Sequence, residues 1–330
     1  MKHFFVVKKF FLVLDIGTSG TKGVLFDRDL ILIKEERLPL TLSHPKKGWV
    51  EQDPNELFQK SVRVLRQVLK KASIKPEEVI ALGITNQRET TILFDKKTGA
   101  SVYPAIVWED MRTQSTCKKF EKQKSFVRRI TGLMIDPYFS ATKIAWILKH
   151  ITKAKKLLEE GHLRFGTVDT WILFHLTRGA VHATDETNAS RTLLFDVHKR
   201  SWNQALLNLF GVSSAILPTV KRSQDDYGSV HASIFGTEIP IRALCGDQQS
   251  SLYAAGSVKG TTKVTYGTGA FIGQHLGAKY RTHNPFFTTF MPSGRHAHYA
   301  LEGKIARGGK EVEPLLNNQE KLRKFLLQLA

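Results

Sequence analysis

An arginine and a glutamate stand side by side after an apolar run, and together they could bind a polyol. Arg88 and Glu89 follow residues 80–84, Ile-Ala-Leu-Gly-Ile, which predict a buried strand. The ends of such strands are where α/β proteins build their sites. Because a guanidinium donates hydrogen bonds and a carboxylate accepts them, the pair could hold neighbouring hydroxyl groups. On an exposed turn the same two residues would be a surface ion pair, so the pair alone leaves both interpretations open.

A glycine-rich turn near the N-terminus could bind phosphate. Residues 14–27 have the pattern of a strand, a Gly/Ser/Thr turn and a second strand. Backbone N–H groups of the turn and the hydroxyls of Thr18 and Ser19 could hold phosphate oxygens, and Asp15 could hold a hydrated Mg²⁺. The segment is not a Walker loop, because no helix-opening Gly-Lys-Ser/Thr follows it. An ordinary glycine hairpin has the same pattern.

A carboxylate and an amide follow a third apolar run. Asp247 and Gln248 come just after residues 241–244. The carboxylate could accept the proton of an attacking hydroxyl while the amide holds that hydroxyl in line. Asp247 could also cap the helix predicted to follow it. Residues 263–273 then repeat the strand, Gly/Thr turn, strand pattern. Two phosphate-type turns on either side of a candidate base predict a cleft for phosphoryl transfer.

The chain resembles the FGGY carbohydrate kinase family. The resemblance extends from about residue 11 to about residue 313, with the motifs in the order and spacing of the family. The matching segments are residues 15–22, 48–54, 83–91, 105–108, 131–140, 165–171, 187–192, 246–249, 266–271 and 299–303.

The resemblance implies an actin-like, ribonuclease-H-like α/β ATPase fold. One complete polyol-binding domain is expected over residues 1–253, and part of a nucleotide-binding domain over residues 254–330. The implied activity is the ATP-dependent phosphorylation of glycerol to glycerol 3-phosphate, with ATP and Mg²⁺ as cofactors.

The resemblance also implies roles for individual residues. Asp247 would be the general base and would share Mg²⁺ with Asp15. The residues expected to bind or enclose the polyol are Arg88, Glu89, Trp108, Tyr138, Asp247, Gln248 and Phe271. Those expected along the nucleotide phosphates are Thr18, Ser19, Lys22, Thr268 and Gly269.

One position departs from the pattern of the family members that phosphorylate glycerol. Lys22 stands where those members usually have an arginine, and the run Gly-Thr-Ser-Gly-Thr-Lys at 17–22 looks more like members that phosphorylate xylulose. The run Asn-Gln-Arg-Glu-Thr-Thr at 86–91 favours glycerol instead. A kinase of another sugar, such as xylulose, is therefore an open alternative.

The family pattern continues beyond the part that this chain matches. Family members proceed past residues 299–303 into a second complete ATPase-type domain with the adenine pocket, whereas this chain ends at Ala330. We therefore expect the chain to bind ATP weakly and to phosphorylate glycerol slowly. A non-catalytic polyol-binding remnant of a kinase is the alternative from a different class.

Composition limits the classes of protein to which this chain can belong. The 330 residues are 42% hydrophobic, which is enough for a sizeable core. Two distant cysteines, Cys117 and Cys245, indicate no disulfide framework and fit a reducing cytoplasm. The formal charge of +19 is spread over short basic runs without a nucleic-acid module, so no dedicated nucleic-acid partner is expected. No apolar run is long enough for a membrane span, and a homo-oligomer is left open.

The elements that must position these residues form a mixed α/β pattern rather than a Rossmann series. Asp53 and Pro54 begin a predicted helix over residues 54–71, Ser201 caps a second helix that ends before Gly211, and residues 141–151 form a third. The predicted strands are residues 11–16, 21–26, 29–42, 79–85 and 90–95.

Overall fold

The computed structural model describes residues 9–266, 270–292 and 296–305. The strands are β1 (Phe10–Ile16), β2 (Gly20–Phe26), β3 (Leu32–Pro39), β4 (Glu51–Gln52), β5 (Val79–Asn86), β6 (Ile92–Asp95), β7 (Ala105–Ile106), β8 (Leu163–Gly166), β9 (Ala183–Asp185), β10 (Phe195–Asp196), β11 (Ser201–Trp202), β12 (Thr219–Lys221), β13 (Ser229–Val230), β14 (Ile239–Gly246), β15 (Thr262–Tyr266), β16 (Ala270–Gly277), β17 (Phe287–Met291) and β18 (His298–Ile305). The helices are α1 (Pro54–Ala72), α2 (Gln114–Lys118), α3 (Lys124–Thr131), α4 (Ser140–His150), α5 (Thr152–Glu159), α6 (Val168–Leu176), α7 (Glu186–Ala189), α8 (Gln204–Phe210), α9 (Ala232–Phe235) and α10 (Asp247–Ala255). Short 3₁₀ turns lie at Pro76–Glu78, Glu121–Gln123 and Ser214–Ile216.

A mixed six-stranded sheet, in the order β13-β14-β5-β1-β2-β3, is the base of the main domain. The first three strands along the chain form an antiparallel meander, whereas β5 and β14 run parallel to β1. In the parallel register Ile16 lies beside Asn86, and Asn86 lies beside Gly246. The polar segments that follow these three strands therefore emerge at one edge of the sheet. The predicted mixed α/β architecture is confirmed.

Helix α1 covers one face of this sheet, and it begins as the sequence predicts. The Asp53 side chain accepts a hydrogen bond from the backbone N–H of Asn55, and Pro54 occupies the first turn. The buried stripe of α1 includes Leu57, Leu65 and Val68. Helix α6 packs beside it and is fixed by the Trp171 indole, which donates to the backbone oxygen of Pro54 at 2.8 Å. These contacts hold α1 against both α6 and the strands β1, β2 and β3 of the sheet.

Two predicted boundaries are wrong for local reasons. Ser201 does not cap α8, because Ser201–Trp202 pairs with Phe195–Asp196 as a short strand. Asn203 caps α8 instead, and its side chain accepts from the backbone N–H of Leu206. The strand predicted over residues 29–42 is shorter, Leu32–Pro39, because the Asp27 carboxylate accepts from the N–H groups of Asp29 and Ile31 and closes a turn first.

A second sheet, antiparallel and in the order β15-β16-β18-β17, follows α10. It packs against the site side of the first domain: the Gln249 amide of α10 donates to the Thr289 hydroxyl of β17 at 2.9 Å. The domain boundary predicted near residue 253 falls inside α10, which packs on both sheets, and it stays a prediction. Residues 1–8 and 306–330, the outer parts of the two predicted domains, lie outside the described residues.

Two further sequence features can be placed. Cys117 and Cys245 are both free thiols. Within the described ranges, no helix combines the length and the apolar character that a membrane crossing needs.

Candidate functional site

The segments that follow β1, β5 and β14 meet at one edge of the central sheet. Hydrogen bonds of glutamine side chains link these segments. The Gln87 amide donates to the backbone oxygen of Gly17 at 3.3 Å and to the Gln52 side-chain oxygen at 2.8 Å. The Gln52 amide in turn donates to the backbone oxygen of Thr18 at 2.8 Å. The glycine turn of 17–20 is therefore fixed against the segment that contains Arg88 and Glu89.

A buried network of charges occupies the centre of the site. Arg88 binds Glu302 through both terminal nitrogens, at 2.5 and 2.8 Å. Arg191 binds Glu89 Oε1 through Nε at 2.5 Å and Glu302 Oε1 through Nη2 at 2.9 Å. All four side chains are at most 5% exposed. Because desolvated charges are tolerated only when paired, the four residues stabilise one another as a unit.

The network changes how Arg88 can contact a ligand. The sequence predicts that the guanidinium fork itself meets a polyol, but Glu302 and the Gln249 side-chain oxygen occupy both fork nitrogens. The Arg88 Nε lies 3.4 Å from Asp247 Oδ1, and it has no hydrogen bond among the described residues. Arg191 Nη1 and Nη2 are also buried without a hydrogen bond there, although Nη2 lies 2.9 Å from Glu302 Oε1. Unsatisfied buried donors are unfavourable, and the ion pairs of Arg191 use Nε and Nη2 rather than Nη1. Arg88 Nε and Arg191 Nη1 therefore mark where a ligand oxygen would be stabilised.

Glu89 sits in the left-handed backbone region, with a φ of 61°. For a non-glycine residue this conformation is strained, and it persists only where the surroundings fix it. The hydroxyls of Ser140 and Thr91 donate to the Glu89 backbone oxygen at 3.1 and 3.0 Å and provide that restraint. The strained turn directs the Glu89 carboxylate into the network beside Arg191.

The Asp247 side chain is 34% exposed, far more than the carboxylates of Glu89 and Glu302. It is not the N-cap of the helix that follows: Gly246 is the N-cap, and Asp247 is the first residue of α10. Loss of solvation raises the pKa of Asp247 to about 6, and the nearby Arg88 guanidinium limits that rise. Near pH 7.5 the carboxylate is therefore ionised and able to accept a proton.

Three aromatic side chains form one wall beside the charge network, where the Arg191 guanidinium carbon lies 5.3 Å from the centre of the Tyr138 ring. The Trp108 ring contacts Tyr138 and Phe271 edge-on, with ring centroids 5.6 and 6.0 Å apart. The Trp108 indole donates to the Thr18 hydroxyl at 2.8 Å, which links the wall to the glycine turn. Burial raises the pKa of Tyr138, so its phenol stays protonated. The wall offers an apolar surface to the carbon chain of a small ligand.

The predicted phosphate turn is in place, but its hydroxyls already have protein partners. The Thr18 hydroxyl lies 3.3 Å from the Gln87 side-chain oxygen, and Ser19 is exposed with its hydroxyl 3.5 Å from Arg37. Asp15 faces Lys22 across the β1–β2 hairpin. Burial raises the pKa of Asp15, while Lys22 and Arg37 oppose that rise. Thr268 and Gly269 lie outside the described residues.

A magnesium ion would find a partial set of ligands at this edge. Within the described ranges no group of three or more histidine, cysteine or acidic residues could hold a metal ion by itself. Mg²⁺ commonly takes one or two protein carboxylates and completes its shell with phosphate oxygens and water. The partly desolvated Asp15, at the end of β1, is a carboxylate that a cation would stabilise.

Arg191 and Glu302 belong to the site, although the sequence interpretation gave them no role. Both occur in segments that resemble the family, within residues 187–192 and 299–303. Each is a charged residue among small or apolar neighbours, and such a charge needs a buried partner. That signal was present, but the sequence does not say which residue pairs with which.

We expect Gly246→Ala to disturb this site more than the size of the added methyl group suggests. The Gly246 φ of −61° suits alanine, so backbone strain is not the reason. An added Cβ would lie 2.6 Å from Arg88 Cδ and 2.8 Å from the Gln249 side-chain oxygen, and would displace both. Overpacking of this kind costs about 1–3 kcal/mol. Urea unfolding measures the decrease in the free energy of unfolding.

Gly83→Ala is the matched control for this substitution, because its added Cβ would meet only Ala243, at 3.8 Å. Equal stability of the two variants would show that Arg88 has room to move.

The chain is similar to known carbohydrate kinases over most of its length. Residues 10–254 match the N-terminal domain of the FGGY family of carbohydrate kinases. A glycerol kinase from Alcanivorax borkumensis is 40% identical over 319 residues, which cover 95% of this chain and 64% of that protein. A glycerol kinase from Nitratidesulfovibrio vulgaris is 43% identical over 312 residues, which cover 92% and 62%. The chain thus spans less than two thirds of the length of these relatives.

Solved structures give the same relationship. The crystal structure of Plasmodium falciparum glycerol kinase with ADP superposes with a TM-score of 0.87 at 32% identity, over 94% of this chain and 63% of that one. A xylulose kinase from Rhodospirillum rubrum superposes with a TM-score of 0.83 at 21% identity, over 93% and 62%, and shows the shared fold alone.

Proposed function

The chain belongs to the FGGY family of carbohydrate kinases, and on that premise we propose that it phosphorylates glycerol to glycerol 3-phosphate with ATP and Mg²⁺ as cofactors. One observation carries the proposal. The buried donors Arg88 Nε and Arg191 Nη1 lack hydrogen bonds among the described residues, and Arg88 Nε lies 3.4 Å from the Asp247 carboxylate. Donors beside an acceptor, next to an aromatic wall, suit a small polyol.

Each group at the site has a part in holding the polyol. Arg88 and Arg191 donate to hydroxyl oxygens, while Glu89 and Asp247 accept from hydroxyl protons. Trp108, Tyr138 and Phe271 line the carbon chain. Because the charges are already paired with one another, they need little rearrangement when the polyol arrives, which favours a fixed orientation of the reacting hydroxyl.

Asp247 is the proposed general base. Its carboxylate accepts the proton of a primary hydroxyl as that oxygen attacks the γ-phosphorus of ATP, and the bond from phosphorus to the β,γ-bridging oxygen breaks. Asp15 and Asp247 would hold Mg²⁺, which neutralises charge on the phosphates when bound. Thr18 and Ser19 of the glycine turn, together with Lys22, would contact phosphate oxygens. Thr268 and Gly269 are proposed for the same purpose.

The choice of glycerol over a pentulose rests on two supports. The relatives named glycerol kinase are 40–43% identical to this chain, whereas the xylulose kinase structure is 21% identical. The run Asn-Gln-Arg-Glu-Thr-Thr at residues 86–91, which resembles the family members that phosphorylate glycerol, is the second support. We further propose a cytoplasmic location, because both cysteines are free.

We expect Arg88→Ala to weaken glycerol binding by about 1.5–3 kcal/mol, because it removes charge-assisted hydrogen bonds and leaves Glu302 with one partner fewer. Titration calorimetry on folded protein measures the change. Arg88→Lys keeps the charge but not the fork, and should also bind more weakly than the parent chain.

Arg242→Ala is the matched control, since Arg242 is half exposed and pairs with Asp226 away from the site. D-xylulose serves as the competing ligand. Unchanged glycerol affinity in Arg88→Ala would remove this residue from the site, and tighter binding of D-xylulose than of glycerol would favour the pentulose alternative.

A further inference from the structure

Two side chains of β15, Lys263 and Thr265, face the start of α10. They are two residues apart on one strand and therefore share a face of the sheet. The Lys263 ammonium donates to the Thr265 hydroxyl, and the Thr265 hydroxyl donates to the Gln248 side-chain oxygen at 3.3 Å. A cavity of about 10 Å³ lies among Gln248, Lys263 and Glu302, which is room for one water molecule at most.

The direction of these hydrogen bonds follows from the chemistry of the donors. An ammonium group can only donate, so the Thr265 oxygen must accept from Lys263. The Thr265 proton is then directed elsewhere, and the Gln248 oxygen is the acceptor in reach. An amide whose oxygen is engaged in this way presents its N–H₂ group to the remaining space. Gln248 Nε2 has no hydrogen bond in the part of the chain that the structure describes.

Lys263 also completes the charge balance of the site. Arg88 and Arg191 face three carboxylates, those of Glu89, Glu302 and Asp247, so the network has one negative charge in excess. Burial lowers the pKa of Lys263, and the attraction of Asp247 opposes that change. A partly buried ammonium beside the network therefore compensates the excess and remains fixed as a donor.

We infer that Thr265, oriented by Lys263, positions the Gln248 amide so that its N–H₂ group donates to one particular hydroxyl oxygen of the polyol. This inference rests on the proposed function, because it concerns the same ligand. Thr265 and Lys263 act through Gln248 and are positioning residues. Gln248 is then a donor that recognises one of the three hydroxyl groups, rather than an acceptor for any of them.

The test is the affinity of three ligands, measured by titration calorimetry: glycerol, 1,2-propanediol and 1,3-propanediol. Thr265→Val removes the hydroxyl at nearly constant volume, and we expect it to weaken glycerol binding about 5- to 20-fold. Thr265→Ser keeps the hydroxyl and should restore the affinity. The loss should disappear for the one diol that lacks the hydroxyl bound by Gln248, and should persist for the other diol.

Lys263→Met is the second variant, because it releases the Thr265 hydroxyl without removing it. It should weaken glycerol binding with the same dependence on the diol. Unchanged glycerol affinity in both variants would overturn the inference, as would an equal loss for both diols, since that marks general damage to the site. Absence of polyol binding by the parent chain would overturn the proposed function and this inference with it.

Discussion

Replacing Asp247 with asparagine is expected to lower the turnover of glycerol by about 10²–10⁴-fold while glycerol still binds, because a neutral amide cannot accept the proton of the attacking hydroxyl. The substitution keeps the size of the side chain and one oxygen. A steady-state assay of glycerol phosphate formation, with glycerol affinity measured separately, distinguishes lost chemistry from lost binding.

The pH profile of the unmodified chain gives the same prediction an independent readout. Loss of solvation raises the pKa of Asp247 to about 6. The active, ionised form is therefore lost as the pH falls through about 6, and ionisation is nearly complete above about pH 7.5. The rate should follow that curve, and Asp247→Asn should lack it. Asp226→Asn, at an exposed carboxylate paired with Arg242, is the control and should leave both rate and profile unchanged. Turnover of Asp247→Asn within a few-fold of the parent would mean that another group is the base.

The largest loss of stability is expected from Glu302→Ala. Glu302 pairs with both Arg88 and Arg191, and its removal leaves two guanidinium groups buried with too few acceptors. Removing one partner of a buried ion pair typically costs about 3–5 kcal/mol, because the remaining charge stays desolvated. Urea unfolding should show a decrease of that size in the free energy of unfolding, and glycerol affinity should fall with it.

Two further variants separate charge from bulk in that experiment. Glu302→Gln keeps one oxygen acceptor and the shape of the side chain, so its loss should be smaller than that of alanine. Glu238→Ala, at an exposed glutamate, should be close to neutral. A Glu302→Ala chain as stable as the parent would contradict the description of the network as a mutually dependent unit.

Sequence predicted the parts of the site that local pattern and sheet geometry determine. Apolar runs followed by Arg88-Glu89 and by Asp247-Gln248 identify strand ends, and parallel neighbours must release their polar segments at the same edge of a sheet. The glycine turn was predicted from its local pattern and the aromatic wall from the family resemblance, and the structure places Trp108 against both Phe271 and Thr18.

Long-range pairing could not be predicted in the same way. Arg88 and Glu302 are 214 positions apart, and no local rule says that the arginine fork is occupied by a glutamate from the second sheet. The Ser201 prediction failed for a related reason. A serine and an asparagine two positions apart can both cap a helix, and only the pairing of Ser201–Trp202 with Phe195–Asp196 decides between them.

We propose that this chain transfers phosphate from ATP to glycerol at the site built on Arg88 and Asp247. The most direct test is to incubate the chain with glycerol, ATP and Mg²⁺ and to identify the phosphorylated product by mass spectrometry over time. We expect glycerol 3-phosphate to accumulate with the parent chain at a rate far above that with Asp247→Asn. A parent chain that binds glycerol but forms no more product than Asp247→Asn would contradict the proposal and would favour a polyol-binding protein without catalysis.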